Sequence, residues 1–366
     1  MIILTTDFLV KKDDIQQVKF VKSELDPAVL KLDQMLLEVD KFAFTTNNIT
    51  YALLGDRLQY WQFFPTNEAE WGKIPVWGFG DVIHTNHDNI VAGERIYGYF
   101  PLATHLIVEP AKITDSAFYD KTIHRRELNS VYNQYIRVAN DPAYGQEYEG
   151  LQALLRPLFT TSFLIDDFLA DNDFFGGQTV VLSSASSKTA YGTAFSLHKN
   201  RPERRTYEII GLTSTGNIDF VEQLGFYDKV LSYEQIEEFV GIETAVFVDF
   251  TGNAELLAQI HHHYQDKLVY SCLVGFSHGG EIASGYTLPG AKPKMFFAPA
   301  QVQKRLRDWG GQEFQLQLAQ AWEPFLKTVQ TLLTVQENRG AAAVTEVYHA
   351  FVMGKARPEQ GYILSW

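Results

Sequence analysis

Apolar and polar positions change their period twice along the chain. Up to about residue 110, apolar runs are short and broken by turn residues. Gln17–Val21, Met35–Val39 and Thr104–Val108 have the length and β-branched content of strands. Gly72, Pro75, Gly78, Gly80, Gly93, Gly98 and Pro101 punctuate the region closely. Val76–Ile83 and Val91–Gly98 fit two strands joined by a polar turn. The pattern predicts a compact all-β module, a candidate barrel.

From Thr114 to Gly150 the character shifts. Tyr119–Ala139 is polar and aromatic, and Tyr132, Tyr135, Ile136 and Ala139 are spaced for one helix face. Asp141-Pro142 stops that helix. Leu151–Leu169 then fits a helix pair or one helix kinked near Pro157.

The second change comes at residue 178. Apolar runs Thr179–Leu182, Tyr207–Leu212, Lys229–Leu231, Ala245–Phe250 and Leu268–Val274 alternate with helical Thr189–Lys199, Asn217–Leu224, Tyr233–Phe239 and Ala254–Tyr264. Near-continuous apolar strands between helices predict a parallel sheet covered on both faces. Right-handed crossovers then place a ligand crevice at the strand C-termini. Beyond Gly290, Lys294–Pro299 is a possible last strand, followed by helical Val302–Thr334 and Ala342–Met353. Gly361–Trp366 is expected to rejoin an earlier sheet. The chain shows no repeat, low-complexity tract or flexible linker.

With 366 residues, 46% hydrophobic, the chain exceeds one typical domain, so two are expected. A net charge of -13 argues against nucleic acid or an anionic membrane held by bulk electrostatics. The one cysteine, Cys272, lies in an apolar run and fits a small core hydrophobe. No basic-then-apolar leader and no long apolar run is present, so a cytoplasmic protein without a membrane partner is expected.

The candidate chemistry centres on Thr179–Ala194, a strand that empties into small side chains and enters a helix. Backbone N–H groups at such a helix start suit the pyrophosphate of a dinucleotide. Ser184, Ser186 and Ser187 stand where glycines usually do, and Lys188 and Thr189 complete the candidate phosphate loop; Lys188 either pairs with the pyrophosphate or faces solvent. After the second run, Thr213, Ser214 and Thr215 lead into Gly216-Asn217 with no acid at the tip, which favours NADP(H) over NAD. The basic stretch His198–Arg205 precedes that run, at the remote end of the sheet, and reads as solvated charge near a helix end. His84, His87 and the triplet His261–His263 read as surface histidines, so no metal site is expected. Ser277-His278 lacks a Gly-x-Ser-x-Gly elbow. Tyr51 and Asn48, in Thr46–Asp56, could face a pocket, or Asn48 could cap the following helix.

Several segments resemble the medium-chain dehydrogenase/reductase superfamily, on its zinc-free quinone oxidoreductase-like side, and more narrowly the DUF2855 family. They are Val82–Val91 with Gly93–Gly98, Thr160–Phe163, Ser183–Ala190, Gln223–Gly225 with Lys229–Leu231, Val248–Asn253, Pro289–Gly310 and Gly354–Trp366. The resemblance implies a GroES-like β-barrel domain from residues 1–150 plus 331–366, with a Rossmann domain of residues 151–330 inserted. A cleft between them would hold nicotinamide and substrate, roofed by Thr114–Gly150. It carries a nicotinamide contact onto Thr161 and a place near the nicotinamide onto Asn48, and it puts Tyr51 where many relatives have an acid. Thr251, Gly252, Val274 and Gly275, at ends of the fourth and fifth runs, complete the cofactor set. The zinc-binding cysteine of zinc-dependent relatives is missing. The expectation is a zinc-independent NADPH-dependent reductase of a conjugated enone or quinone, acting as a homodimer on a small-molecule carbonyl. Asn48, Tyr51 and Thr161 are the expected donors to the substrate carbonyl, with Asn48 and Tyr51 catalytic and Tyr51 the proton donor. The alternative is a dinucleotide-binding or interaction protein with a degraded site.

Overall fold

The computed structural model describes residues 2–238, 243–274 and 288–366. Strands β1 (Ile3–Lys11) and β2 (Val18–Leu25) form an antiparallel hairpin. β3 (Met35–Phe44) then leads through a short α1 (Thr46–Leu53) to β4 (Trp71–Gly72), which joins β1. β5 (Pro75–Thr85) and β6 (Arg95–Pro101) continue the larger sheet, and β7 (His105–Val108) pairs with β3. The close spacing of Gly78 and Gly80 has a steric cause. A Cβ at Gly78 would lie 2.2 Å from the Lys41 carbonyl oxygen, and one at Gly80 would lie 2.7 Å from that of Glu38. β5 therefore crosses β3 too closely for side chains there.

The helix expected over Tyr119–Ala139 does not form. β8 (Pro110–Ala111), β9 (Ala117–Asp120) and β10 (Gln134–Arg137) extend the sheet instead, with short 3-10 turns between β9 and β10. The reason is Arg125, which is fully buried. Its guanidinium donates to Asp120 Oδ2 at 3.0 Å, Asn133 Oδ1 at 2.8 Å, the Tyr135 hydroxyl at 2.9 Å and the Tyr132 carbonyl at 2.5 Å. A buried guanidinium must satisfy its donors, and wrapping the segment around it does so where one helix face could not. α2 (Glu149–Asp171) follows as a single helix with Pro157 inside it, where a pair or a kink was expected.

Six strands come next: β11 (Thr179–Leu182), β12 (Glu208–Thr213), β13 (Lys229–Ser232), β14 (Ala245–Asp249), β15 (Leu268–Leu273) and β16 (Pro293–Met295). All pair in parallel in the order β13-β12-β11-β14-β15-β16. This is the 3-2-1-4-5-6 order of dinucleotide-binding sheets, whose switch point lies between the first and fourth strands. β11 and β14 are buried along their whole length, as strands covered on both faces must be. α3 (Lys188–Asn200), α4 (Ile218–Leu224) and α5 (Ala254–Tyr264) make the crossovers. After β13 the described residues Tyr233–Glu238 form a 3-10 turn rather than an α-helix.

The long helical region after β16 divides into α6 (Ala298–Asp308) and α7 (Gly311–Val329) at Gly310, whose φ of 83° only glycine adopts without strain. β17 (Thr334–Arg339), unexpected from its polar sequence, precedes α8 (Ala341–Val352) and β18 (Gln360–Ser365). β18 pairs antiparallel with β3 and parallel with β17, so the chain end closes the first sheet as expected.

The chain divides into two compact units, residues 1–156 with 333–366, and residues 157–332. The first is centred on Phe8, Leu37, Phe42, Phe100 and Tyr348, the second on Val181, Ile210, Phe247 and Ile260. Among the described residues no helix is long and apolar enough to cross a membrane.

Candidate functional site

In the parallel-sheet unit, the loop between β11 and α3 lies at the switch point. Ser184 takes φ 50°, the left-handed turn that glycine usually supplies. Its N–H donates to the Tyr233 hydroxyl at 3.1 Å, and the Ala185 N–H donates to the Leu212 carbonyl at 2.9 Å. A Cβ at Gly211 would lie 2.9 Å from that of Ala185, so a bare backbone in β12 admits the loop. Three of its serine hydroxyls turn inward. Ser183 Oγ donates to Asp249 Oδ1 at 2.7 Å, Ser186 Oγ accepts from Thr213 at 3.4 Å and Asn217 at 3.2 Å, and Ser187 caps α3 by accepting from the Ala190 N–H. The serines therefore brace the loop. Lys188 and Thr189 open the helix, both half-buried.

Across the switch point, buried Asp249 ends β14 and organises the next loop. It accepts from the Thr251 N–H at 2.9 Å, the Thr251 hydroxyl at 2.7 Å and the Gly252 N–H at 3.1 Å. Val274 is tied to the same strand through its N–H and the Asp249 carbonyl, at 2.8 Å. Gly275 and Ser277-His278 lie outside the described residues. Thr161, half-buried on α2, donates to the Pro157 carbonyl at 3.4 Å.

The tip of β12 differs from expectation. Ser214 and Thr215 are exposed, and the Thr215 hydroxyl donates to Glu234 Oε2 at 3.2 Å. This acid comes from the turn after β13. Its own backbone N–H, Ser232 and Thr215 hold the Glu234 carboxyl below its ordinary pKa. Inspection of the residues that follow β12 in sequence could not reveal an acid from a neighbouring crossover.

The basic stretch is structural. Arg204 pairs with buried Asp166 at 2.6 Å, and Arg201 with Asp228 at 2.5 Å. His261 is no surface histidine: it is fully buried, bonded to the Pro289 carbonyl at 2.8 Å and to Ser271 Oγ at 3.0 Å. Its spacing with Leu257 and Tyr264 on α5 was the signal available, since positions 4 and 3 residues away share a helix face. Cys272 is buried, and burial followed by the Asp249 charge pushes its thiol up to about 12. No group of three potential metal ligands occurs among the described residues.

In the barrel unit, Asn48 is committed to the start of α1. Its Oδ1 accepts from the Thr45 N–H at 2.7 Å and the Thr45 hydroxyl at 3.1 Å, while Nδ2 donates to the Pro75 carbonyl at 2.8 Å. Tyr51, one turn on, is buried. Its hydroxyl accepts from Asn47 Nδ2 at 2.7 Å and Trp77 Nε1 at 3.4 Å, so its proton is left to donate. Burial first, then the neighbouring Tyr60, raises the Tyr51 pKa and keeps the phenol protonated. Around it stand Tyr60, Phe63, Tyr99 and Tyr132, each with its ring centroid within 6.5 Å of at least two of the others. Tyr132 belongs to the segment wrapped on Arg125, so residues 114–150 do contribute to this aromatic face.

The two units together define a GroES-like barrel carrying an inserted Rossmann domain, the fold of medium-chain dehydrogenases/reductases. Known structures of that fold align over nearly the whole chain. A putative NADPH:quinone reductase from Mesorhizobium loti aligns with TM-score 0.63 and 11% identity, over 99% of this chain and 98% of its own. CurA from Vibrio vulnificus, solved in complex with NADPH, gives 0.61 and 12% over 98% of each chain. The quinone oxidoreductase from Coxiella burnetii gives 0.54 and 11% over 100% of each. A search of curated proteins finds no matching sequence. The family model described as a protein of unknown function, DUF2855, matches residues 42–357, and the chain belongs to that family.

Proposed function

We propose that this protein is a zinc-independent, NADP(H)-dependent oxidoreductase that reduces a conjugated enone or quinone. The observation that carries the proposal is the loop Ser183–Ala190 at the switch point of a 3-2-1-4-5-6 parallel sheet, leading straight into the N-terminus of α3. The residues present fit a dinucleotide. Ser184 makes the tight turn, Ala185 lies against Gly211, and the inward serines keep the loop compact so that backbone can approach a pyrophosphate. Thr213, Ser214 and Thr215 would surround the adenine ribose, while Thr161, Thr251, Gly252 and Val274 would line the rest of the cofactor's path. Structures of the same fold were solved with NADP or NADPH bound, which supports the same cofactor here.

A bound reduced nicotinamide supplies a hydride. Tyr51 then polarises the substrate carbonyl through the O–H it leaves uncommitted, and serves as proton donor. Asn48 acts as a positioning residue, seating the helix that presents Tyr51. At the sheet edge, Met295 of β16 and nearby Phe297 are exposed, which supports a homodimer formed along that strand.

The test is an NADPH fluorescence titration followed by turnover on an enone, a quinone and a saturated aldehyde. Binding with turnover of the first two is expected. No binding at about 1 mM, far weaker than the micromolar range typical of working cofactors, would overturn the proposal. Tight binding with no turnover would favour a non-catalytic dinucleotide-binding protein.

A further inference from the structure

We propose that the hydroxyls of Tyr51, Tyr60, Tyr99 and Tyr132 form an uncharged oxyanion site, which receives the oxygen of a planar enolate or phenolate. Its role in turnover rests on the reductase proposal above; its ability to bind such an anion does not.

The four rings form one group. Centroids are 4.5 Å apart for Tyr51 and Tyr60, 4.8 Å for Tyr99 and Tyr132, 5.6 Å for Tyr51 and Tyr99, and 5.8 Å for Tyr60 and Tyr132. Their protons are underused. The Tyr51 hydroxyl accepts two hydrogen bonds and keeps its proton. The hydroxyls of Tyr60 and Tyr132 lie 3.3 Å apart, a contact that spends one proton of the two. Tyr99 is fully buried, and its hydroxyl has no partner among the described residues. Buried hydroxyls are normally satisfied, so one left over beside two other spare donors calls for an acceptor from outside.

The electrostatics select the kind of acceptor. Burial raises the pKa of all four phenols, and Tyr51, Tyr60 and Tyr132 each oppose the ionisation of Tyr99. They remain neutral donors. The Arg125 guanidinium pulls the other way, favouring negative charge near Tyr99. Tyr51 and Tyr99 are buried, whereas Tyr60, Trp77 and Tyr132 are half-buried. Walls of aromatic rings favour a flat ligand, and neutral donors favour an oxygen whose charge is shared with a π system.

This narrows the substrate to a planar conjugated carbonyl. A hydride and its electron pair form the new C–H bond at the β-carbon. The C=C pair moves to join the carbonyl carbon, and the C=O pair moves onto oxygen, giving the enolate that the phenols would hold. The α-carbon then takes a proton from Tyr51 or from water. A saturated aldehyde or ketone yields a localised alkoxide, a poorer match for this site.

The test uses substituted nitrophenols, followed by absorbance, with no dinucleotide present. Wild-type protein is expected to prefer the phenolate, lowering the bound probe's apparent pKa by about one unit, a tenfold preference. Tyr99→Phe is expected to weaken phenolate binding about tenfold, as loss of one charge-assisted hydrogen bond would. Its Tm should hold or rise, because an unpartnered buried hydroxyl has been removed. No binding by wild type, preference for the neutral phenol, or unchanged binding in Tyr99→Phe would overturn the inference. Titrating NADPH in parallel separates the two ideas. Dinucleotide binding without phenolate preference removes the oxyanion site alone; phenolate preference without dinucleotide binding supports that site and removes the reductase.

Discussion

The loop after β11 and the tyrosine face of the barrel unit use hydroxyl groups in opposite ways. In the loop, Ser183, Ser186 and Ser187 are engaged with Asp249, Thr213 with Asn217, and the Ala190 N–H. In the tyrosine face, Tyr51 and Tyr99 hold protons that nothing among the described residues accepts. The first arrangement fixes a backbone shape, so a ligand there would meet the main chain at the start of α3. The second presents side-chain donors, so a ligand there meets phenols. A site built for a common cofactor and a site built for a particular substrate would differ in just this way.

The largest expected effect tests what holds the tyrosine face together. Arg125→Ala leaves Asp120 buried without its cation and strips the support from Tyr132 and Tyr135. Denaturant unfolding should show a loss of about 3–5 kcal/mol, the cost of breaking a buried pair on one side. Next comes chemistry. Tyr51→Phe should lower kcat about 100-fold with KM nearly unchanged, within the usual range for a positioned proton donor. An unchanged kcat in steady-state assays would take Tyr51 out of the mechanism.

A smaller effect appears with pH in the parallel-sheet unit. Burial, opposed by the Pro289 carbonyl and reinforced by His262, holds the His261 pKa below its ordinary value. The unfolded chain therefore binds the proton more readily, so the stabilising contribution is full above about pH 6.5 and is lost as pH falls toward the folded value. Melting curves from pH 7.5 to 5 should show a falling Tm, and the slope should shrink in His261→Phe. The smallest effect concerns cofactor choice. Glu234 bonds to Thr215 at the β12 tip, so its charge would oppose a 2′-phosphate bound there. Glu234→Gln should tighten NADPH binding by about threefold to tenfold at low salt, with NADH binding unmoved in the same titration.

The parallel-sheet unit was largely legible in the sequence because its strands are buried on both faces and read as plain apolar runs. Thr179–Leu182 and Ala245–Asp249 needed no knowledge of their neighbours. The barrel unit's outer segment was not legible. Tyr132, Tyr135 and Ile136 mimic a helical period, yet their positions answer to one buried guanidinium. β17 was hidden by its polar composition, since it forms by pairing with β18 rather than by filling a core. Among the candidate residues of the two units, Ser183–Ala190 stood out by composition, and Asn48 and Tyr51 by their place between strands. Tyr99 and Tyr132, which join Tyr51 in the barrel unit, and Glu234, which joins Thr215 in the parallel-sheet unit, could not be found this way, because each lies far along the chain from the residue it meets.

The central claim, that a dinucleotide sits on the start of α3, is tested most directly by Ser187→Asp. Aspartate caps a helix as well as serine does, so fold and Tm should be preserved. As the N-cap it would put a negative charge at the start of α3, where the pyrophosphate would bind. Fluorescence titration should show NADPH binding by wild type and at least about tenfold weaker binding by the variant, the scale of one like-charge contact in a partly desolvated site. Equal NADPH affinity in the two proteins would contradict the account.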